Sequence, residues 1–196
     1  MHQFYRWELI PSSWPTVIRS CPKCGNAQAY TCSGNFRVNA NQNNLDIWLI
    51  YQCCKCKSTW NMEILSRTKV KTIDKEMYHR FITNDPELAR QYAFDAAIHG
   101  YNKVTVNYDE ISYTIQGAVP EFAPGSTECR IEITSPYPVD LRLDALLSRQ
   151  LGLSREKIKN LWKSGKIKRC DGKDITKFRL NGSLSIILLP WNEGSE

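Results

Sequence analysis

The chain has 196 residues, 42% of them hydrophobic and 23% charged, and its 26 lysines and arginines outnumber its 20 acidic residues by six. No apolar run approaches the roughly 20 residues of a membrane-spanning helix, and the first residues lack the basic-then-apolar pattern of a secretory signal. These features argue against a membrane or secreted protein, and we expect a soluble protein of the cytoplasm.

The pattern of apolar residues, turn residues and helix caps predicts an α+β protein of three segments, residues 1–68, 69–139 and 140–196. The first segment contains two predicted strands joined by a polar hairpin loop at 39–44. The second begins with a short helix at 74–82 and continues with a helix that starts at Asp85-Pro86 and stops at Gly100. Short strands follow, at 104–106, 111–115 and 130–134. The last segment reads as two helices and further short strands.

Four cysteines have the spacing of two metal-binding turns. Cys21 with Cys24, and Cys53 with Cys56, each enclose two residues. Such a turn directs two sulfurs to one ion, and two turns complete a tetrahedron in which each sulfur lies about 2.3 Å from zinc. The 28 residues between the inner cysteines exceed the usual spacing of about 15–20, and the predicted hairpin accounts for the excess. We therefore expect one structural Zn²⁺ with no open coordination position for catalysis.

This arrangement resembles a zinc ribbon over residues 19–60. Gly25 suits the turn after the first pair, whereas Lys57 at the matching place is a departure. The alternatives are a redox pair, cysteines that bind no metal, and Cys54 as a ligand in place of Cys53. A redox pair normally begins a helix, and both pairs here adjoin predicted strands. The remaining cysteines are interpreted as small buried residues or bystanders: Cys32, Cys129 and Cys170.

Positive charge is concentrated near the C-terminus. Residues 141–185 contain twelve basic and four acidic side chains, whereas the rest of the chain contains fourteen and sixteen. Helical spacing places four basic residues of the second helix in one sector of about 80°, namely Arg155, Lys159, Lys163 and Lys166. On the first helix, Arg142 and Arg149 share a side. Such a surface suits the phosphates of a nucleic acid, and the alternative is a solvated helix face.

The segments Arg142–Leu147, Gly152–Arg155 and Leu161–Ile167 resemble the RNA-binding domain first named from small-subunit ribosomal protein S-four. Asp171-Gly172-Lys173 matches its expected turn, whereas Gly182-Ser183 departs from the family pattern, in which aspartate commonly follows the glycine. The resemblance implies contacts with structured RNA, such as ribosomal or transfer RNA. The implied contacts are Arg142, Ser154, Arg155, Lys159 and Lys163, and the helix faces add Arg149 and Lys166.

Taken whole, the chain also resembles a bacterial family labelled domain of unknown function 1062. The residues that carry this resemblance are 21–24, 36–41, 45–53 and 59–61. The resemblance implies no established activity.

The sequence therefore favours a non-catalytic, zinc-containing RNA-binding protein. His79 and His99 are expected at the surface or at a helix end, and no acid–base pair indicates a catalytic site. Two alternatives stay open. One is an enzyme with a site in the central region, and the other is a scaffold that binds a protein partner through the zinc ribbon.

Overall fold

The computed structural model has mixed α+β architecture, in agreement with the predicted fold class. It describes residues 2–108, 111–122, 127–138, 141–180 and 182–191. The chain forms two compact units. Residues 13–111 make the unit that we call the cysteine unit, and residues 1–12 and 112–196 make the two-segment unit.

The secondary structure consists of short helices and strands of very different length. The strands are β1 (His2–Pro11), β2 (Thr16–Ser20), β3 (Ala27–Asn41), β4 (Asn44–Cys53), β5 (Thr59–Lys69), β6 (Thr105–Asn107), β7 (Tyr113–Gln116), β8 (Glu128–Thr134), β9 (Leu141–Arg142), β10 (Ile167–Arg169), β11 (Arg179–Leu180) and β12 (Leu184–Leu188). The helices are α1 (Lys75–Ile82), α2 (Pro86–Ala93), α3 (Ala96–Tyr101), α4 (Leu143–Leu151) and α5 (Arg155–Lys163), with a 3₁₀ turn at Val70–Thr72. Within the described ranges, none of these helices has the length and apolar character needed to cross a membrane.

An antiparallel sheet of five strands, in the order β5-β4-β3-β2-β6, forms the framework of the cysteine unit. Side chains alternate across a strand, and every second residue of β4 is buried, namely Leu45, Ile47, Leu49, Tyr51 and Cys53. Helices α1 and α2 contact β3. There the Phe36 ring meets the Phe81 and Tyr92 rings edge-on, with centroids 5.0 and 6.1 Å apart. Aromatic packing therefore covers one face of the sheet.

The predicted hairpin loop at 39–44 is wrong in length. β3 and β4 pair up to Asn41 and Asn44, so that only Gln42 and Asn43 form the turn. Gln42 takes a φ of 54°, which allows the tight two-residue connection that suits strand twist. The polar composition that indicated a loop belongs to the exposed end of a long strand pair.

The helix predicted from Asp85 to Gly100 is interrupted. α2 ends before Phe94, and α3 starts after Asp95, whose side chain accepts hydrogen bonds from the backbone N–H groups of Ala97 and Ile98. Because Asp95 caps the start of α3, the preceding helix α2 ends before it. His99 lies in the last turn of α3, the helix end that was one of its two expected positions, but its side chain is buried, with 2% exposed. The short helix starting at Asp74 is confirmed, with Asp74 as its cap.

A mixed sheet in the order β10-β12-β8-β1-β7 supports the two-segment unit. β1 runs parallel to β8, with Trp7 opposite Ile133, and antiparallel to β7. The apolar faces predicted for the last two helices are confirmed, because α4 and α5 bury Leu143, Leu146, Leu147, Ile158 and Leu161. The core of this unit lies between those helices and the strands.

The two units divide the chain at different places from the three predicted segments. Residues 69–139 contribute α1, α2, α3 and β6 to the cysteine unit and β7 and β8 to the two-segment unit. The reason is the long-range pairing of β1 with β7 and β8, which returns the start of the chain to its second half.

Candidate functional site

Two backbone turns of the same form hold the paired cysteines. In the first turn, the Gly25 N–H donates to the Cys21 carbonyl and the Cys21 N–H donates to the Asn26 carbonyl, both at 2.9 Å. In the second, the Lys57 N–H donates to the Cys53 carbonyl at 3.0 Å and the Cys53 N–H donates to the Ser58 carbonyl at 2.9 Å. The two turns are therefore equivalent in their hydrogen bonds.

The equivalence extends to a left-handed residue four places after the first cysteine. Gly25 has a φ of 76° and Lys57 a φ of 61°. A side chain in this region costs of order 1 kcal/mol, which glycine avoids. Lys57, which stands where the first turn has a glycine, thus adopts the left-handed conformation that the turn requires.

Neighbouring strands place the two turns at one end of the sheet. The first turn joins β2 to β3, and the second joins β4 to β5. Because β2, β3, β4 and β5 are adjacent in the sheet, the connections between them approach each other. Tyr30 lies opposite Cys53, and the Cys54 N–H donates to the Ala29 carbonyl at 2.9 Å. β3 therefore fixes the distance between the turns.

The structure brings together the four cysteines predicted as ligands. The sulfur atoms of Cys21, Cys24, Cys53 and Cys56 all lie within 4.8 Å of one another. Cys21 Sγ and Cys56 Sγ are 3.6 Å apart, close to the edge of about 3.8 Å of a tetrahedron with 2.3 Å zinc–sulfur bonds. All the cysteines are free thiols. The cluster can therefore hold one metal ion.

The other cysteines lie outside this cluster. Cys54 is exposed, so it is not the alternative ligand that the sequence left open. Cys129 is buried and belongs to the two-segment unit. Cys32 is half-buried, and burial raises its pKa to about 12. Cys170 is exposed and so is not the small buried residue that one interpretation expected.

Hydrogen bonds and burial shift the pKa values of Cys21, Cys24 and Cys56 in different directions. Hydrogen bonds from Tyr30 and then Ser58 lower the pKa of Cys21 to about 5. Ser58, whose hydroxyl lies 3.0 Å from Cys56 Sγ, also lowers the pKa of Cys56. Burial and the neighbouring sulfurs raise the pKa of Cys24 to about 12. Since the thiolate is the metal ligand, Tyr30 and Ser58 favour the ligand form at two of the four positions.

Cationic and aromatic side chains surround the cluster. The Arg19 guanidinium lies 4.3 Å from the Trp60 ring centroid and 5.4 Å from that of Tyr30, which is in turn hydrogen-bonded to Cys21. The lysines within the two turns are exposed: Lys23, Lys55 and Lys57. These positive charges can offset the negative charge of thiolates. Arg19, Tyr30 and Ser58 were not predicted from the sequence, since no spacing rule marks them.

The predicted RNA contacts lie around α4 and α5. Arg142 ends β9, and Arg149 lies in the last turn of α4, where its guanidinium is 4.9 Å from the Tyr113 ring centroid. Ser154 is the N-cap of α5, and the Lys157 N–H donates to its hydroxyl at 3.1 Å. Lys159 and Lys163 are exposed on α5, and Lys166 is half-buried just after it.

A buried carboxylate binds two of these predicted contacts. Asp144 is 0% exposed, and its Oδ2 accepts from Arg142 Nη2 at 3.1 Å and from Arg155 Nη2 at 2.8 Å. The Arg142 Nε also donates to Oδ1 at 3.1 Å. Burial alone would raise the pKa of Asp144, but the hydrogen bonds and charges of Arg155 and Arg142 outweigh it and lower that pKa. We call these three side chains the arginine fork.

The fork brings the two guanidinium groups close together. Their Nη2 atoms share one oxygen at 3.1 and 2.8 Å, so they lie within about 6 Å of each other. Both side chains remain partly exposed, by 41% and 48%. Arg142 and Arg155 were predicted as surface charges. The buried carboxylate of Asp144 that binds them was not predicted.

Comparison with known proteins gives one result. The family model described as protein of unknown function (DUF1062) matches residues 38–173, more than two thirds of the chain. The matched span includes Cys53, Cys56 and the arginine fork and begins after Cys21 and Cys24. Neither the curated proteins nor the solved structures gave a match.

Proposed function

The chain belongs to the DUF1062 family of proteins of unknown function, and we propose that this member is a non-catalytic cytosolic protein that holds a structural zinc ion and binds structured RNA. The zinc ion stabilises the cysteine unit as a zinc ribbon. The RNA contacts the basic surface around α4 and α5 of the two-segment unit.

The observation that carries the zinc proposal is the set of four free thiols within 4.8 Å of one another. A set of four cysteine ligands is typical of structural zinc, and it leaves no position for water or substrate. Softer thiolate ligands also disfavour magnesium and calcium, which prefer oxygen. Bound zinc would cross-link the β2–β3 turn to the β4–β5 turn.

This chain's own residues prepare the cluster for a cation. Tyr30 and Ser58 direct hydrogen bonds to Cys21 and so favour its thiolate. Arg19 stacks on Trp60 beside them. A cation at the centre of the cluster would offset the repulsion between thiolates that lie less than 4.8 Å apart.

The RNA proposal rests on the arginine fork and on the exposed lysines that follow it. Arg142 has two N–H groups, both on Nη1, that no hydrogen bond within the described residues uses, and Arg155 has four. Paired guanidinium groups with free donors suit a phosphate. Lys159 and Lys163 continue the positive surface along α5. The resemblance to the S-four RNA-binding domain also supports this proposal.

Metal analysis tests the zinc proposal. Protein purified without chelators should contain about one equivalent of zinc, and Cys32→Ser should contain the same amount, because Cys32 lies outside the cluster. Intact, chelator-free protein without zinc would contradict the proposal. Iron in place of zinc would correct the identity of the metal.

Salt-dependent binding tests the RNA proposal. The double variant Lys159→Gln/Lys163→Gln should bind a structured RNA more weakly. The slope of log K against the logarithm of salt concentration should become shallower by about 0.9 for each phosphate that is no longer neutralised. The matched control is Lys103→Gln/Arg130→Gln. Both side chains are exposed, neither forms an ion pair within the described residues, and both lie outside α5. Equal weakening in the two double variants would show that charge alone, rather than the α5 face, attracts RNA.

A further inference from the structure

Two adjoining cavities lie at the end of the long hairpin in the cysteine unit. The first, about 620 Å³, is lined by residues 42–44 and 69–71. The second, about 490 Å³, extends from Val70 and Lys71 to Asp74, Lys75 and Tyr78. Each falls within the range of small-molecule sites. Because Val70 and Lys71 line both cavities, we treat them as one feature, the lysine cleft.

Backbone hydrogen bonds fix the walls of the lysine cleft. Asn44 pairs with Lys69 across β4 and β5, and the Val70 N–H donates to the Asn43 carbonyl at 2.9 Å. The Thr72 hydroxyl donates to the Lys69 carbonyl at 2.7 Å and fixes the following turn. The cleft therefore has a defined shape that does not depend on lysine side chains.

The cleft carries a net positive charge. Lys69, Lys71 and Lys75 line it, and no ion pair engages any of the three within the described residues. Among the described residues that line it, Asp74 is acidic. Its Oδ2 accepts from the Glu76 and Met77 N–H groups at 2.9 and 3.1 Å, so it serves α1 as a cap.

The cleft also has a wall suited to an apolar or aromatic group. Val70 is 43% exposed and lines both cavities, so its side chain offers an apolar surface to a ligand. Ile73 and Tyr78 are half-buried beside it. The carboxamides of Gln42, Asn43 and Asn44 supply donors and acceptors on the opposite side. Ammonium groups, carboxamides and a phenol ring together match a phosphate attached to a ring.

We propose that the lysine cleft binds the phosphate of a nucleotide, with the lysines on the phosphate and the Val70–Tyr78 wall against the base. The nucleotide is either a free nucleoside phosphate or a residue of an RNA strand. The site is independent of the arginine fork, since all its residues belong to the cysteine unit.

Calorimetry on the full chain tests the proposal with three probes: ADP, inorganic pyrophosphate and adenosine. ADP should bind more tightly than pyrophosphate, and adenosine should bind least, because both the phosphate and the ring contribute. Lys71→Gln should weaken ADP binding about tenfold, since Lys71 lines both cavities. Lys103→Gln is the matched control. It removes an exposed lysine of the same unit that lies outside the cleft.

A fourth probe separates the two sources of phosphate. A ten-nucleotide RNA strand is titrated into Lys159→Gln/Lys163→Gln, with and without Lys71→Gln. Binding of ADP that depends on Lys71 supports a free nucleotide, and strand binding that depends on Lys71 without ADP binding supports a strand. The proposal is overturned if neither probe binds, or if Lys71→Gln and Lys103→Gln weaken binding equally in variants that melt like the parent.

Discussion

The cysteine unit gathers four sulfur atoms within 4.8 Å, and no carboxylate of the described residues joins that cluster, whereas the two-segment unit buries one carboxylate beside two guanidinium groups. Both arrangements bring ionisable groups together in a small volume. In the two-segment unit the opposite charge belongs to the same chain, while the cysteine cluster can take up a cation.

This difference has a structural origin. The fork joins residues at the start of α4 and the start of α5, which are close in the sequence and pack directly on each other. The cysteine cluster joins two turns that belong to different strand connections. The ion that we propose would link these distant turns without long side chains. The two units should therefore differ in their response to metal removal.

Substitution of a cluster cysteine should have the largest effect. Cys53→Ser should abolish zinc binding and unfold the cysteine unit, because structural zinc contributes of order 10 kcal/mol of folding free energy in small zinc domains. Hydrogen exchange, read by mass spectrometry on peptides of each unit, should show reduced protection within residues 13–111 and retained protection within 127–188. Cys32→Ser is the control. An equal reduction of protection in both units would show that the comparison between them does not hold.

Breaking the arginine fork should have the next largest effect, in the other unit. Asp144→Asn leaves two guanidinium groups without their anion and should lower the free energy of unfolding by about 2–3 kcal/mol. This is less than the 3–5 kcal/mol of a fully buried pair, because both arginines reach water. Zinc content should not change. Urea denaturation measures the decrease.

The matched control for the fork is a surface ion pair of the same unit. Arg6 and Glu132 form an ion pair at 3.0 Å with side chains 68% and 33% exposed, and Glu132→Gln should cost under about 1 kcal/mol. If Asp144→Asn costs no more than Glu132→Gln, the fork has no greater structural role than an exposed pair.

The fork has a second consequence. Because Asp144 holds Arg155, an Arg155→Gln variant mixes stability with RNA binding, and so Lys159 and Lys163 are the better probes.

Local patterns in the sequence predicted what is local in the structure. The four clustered cysteines follow from a two-residue spacing repeated twice, and α1, α4 and α5 follow from caps and apolar periodicity. The predicted turn at Asp171-Gly172-Lys173 is also present, with the Gly172 N–H bound to the Arg169 carbonyl. The bound zinc stays a prediction, since a spacing rule identifies the cysteine ligands and not the metal that they bind. Every RNA contact also stays a prediction.

Features that depend on distant residues were not predicted. β1 has no strong strand signal, and its parallel partner β8 lies more than 120 residues along the chain, with Trp7 opposite Ile133. Asp144 reads as an ordinary helix-start acid, and only the packing of α5 on α4 shows that it is buried. His99 was expected at the surface or at a helix end. It lies in the last turn of α3, and the sequence did not indicate that its side chain is buried.

The buried side chain of His99 is a polar group of the cysteine unit that lacks hydrogen-bond partners. Neither ring nitrogen has a hydrogen-bond partner within the described residues, and burial lowers the pKa of His99 below its usual 6.5. The unfolded chain therefore takes up a proton below pH 6.5 before the folded chain does. Stability falls as the pH drops from 6.5 to the folded pKa and is constant with respect to this group below it.

His99→Leu should remove this dependence. The free energy of unfolding of the variant should gain on that of the parent by up to about 1.4 kcal/mol per pH unit over that window. Comparing the two proteins at each pH cancels the shared effect of the cysteine cluster. His79→Gln replaces an exposed histidine of the same unit and is the control. Parallel pH curves for His99→Leu and the parent would contradict the assignment of His99 as a buried neutral base.

The smallest expected effect compares the two cysteine turns with each other. Gly25 and Lys57 occupy the same left-handed position, and a Cβ added at Gly25 would meet no atom within 4 Å. A side chain at Gly25 would therefore cost free energy through the left-handed backbone rather than through crowding. Lys57→Gly should raise the free energy of unfolding by about 0.5–1 kcal/mol, because glycine adopts this conformation without a Cβ penalty. Gly25→Ala should lower it by about 1 kcal/mol for the converse reason. Lys57→Ala is the control, since it removes the same charge and keeps the Cβ. If Lys57→Gly and Lys57→Ala are equally stable at unchanged zinc content, the lysine charge rather than the left-handed backbone decides the stability of the second turn.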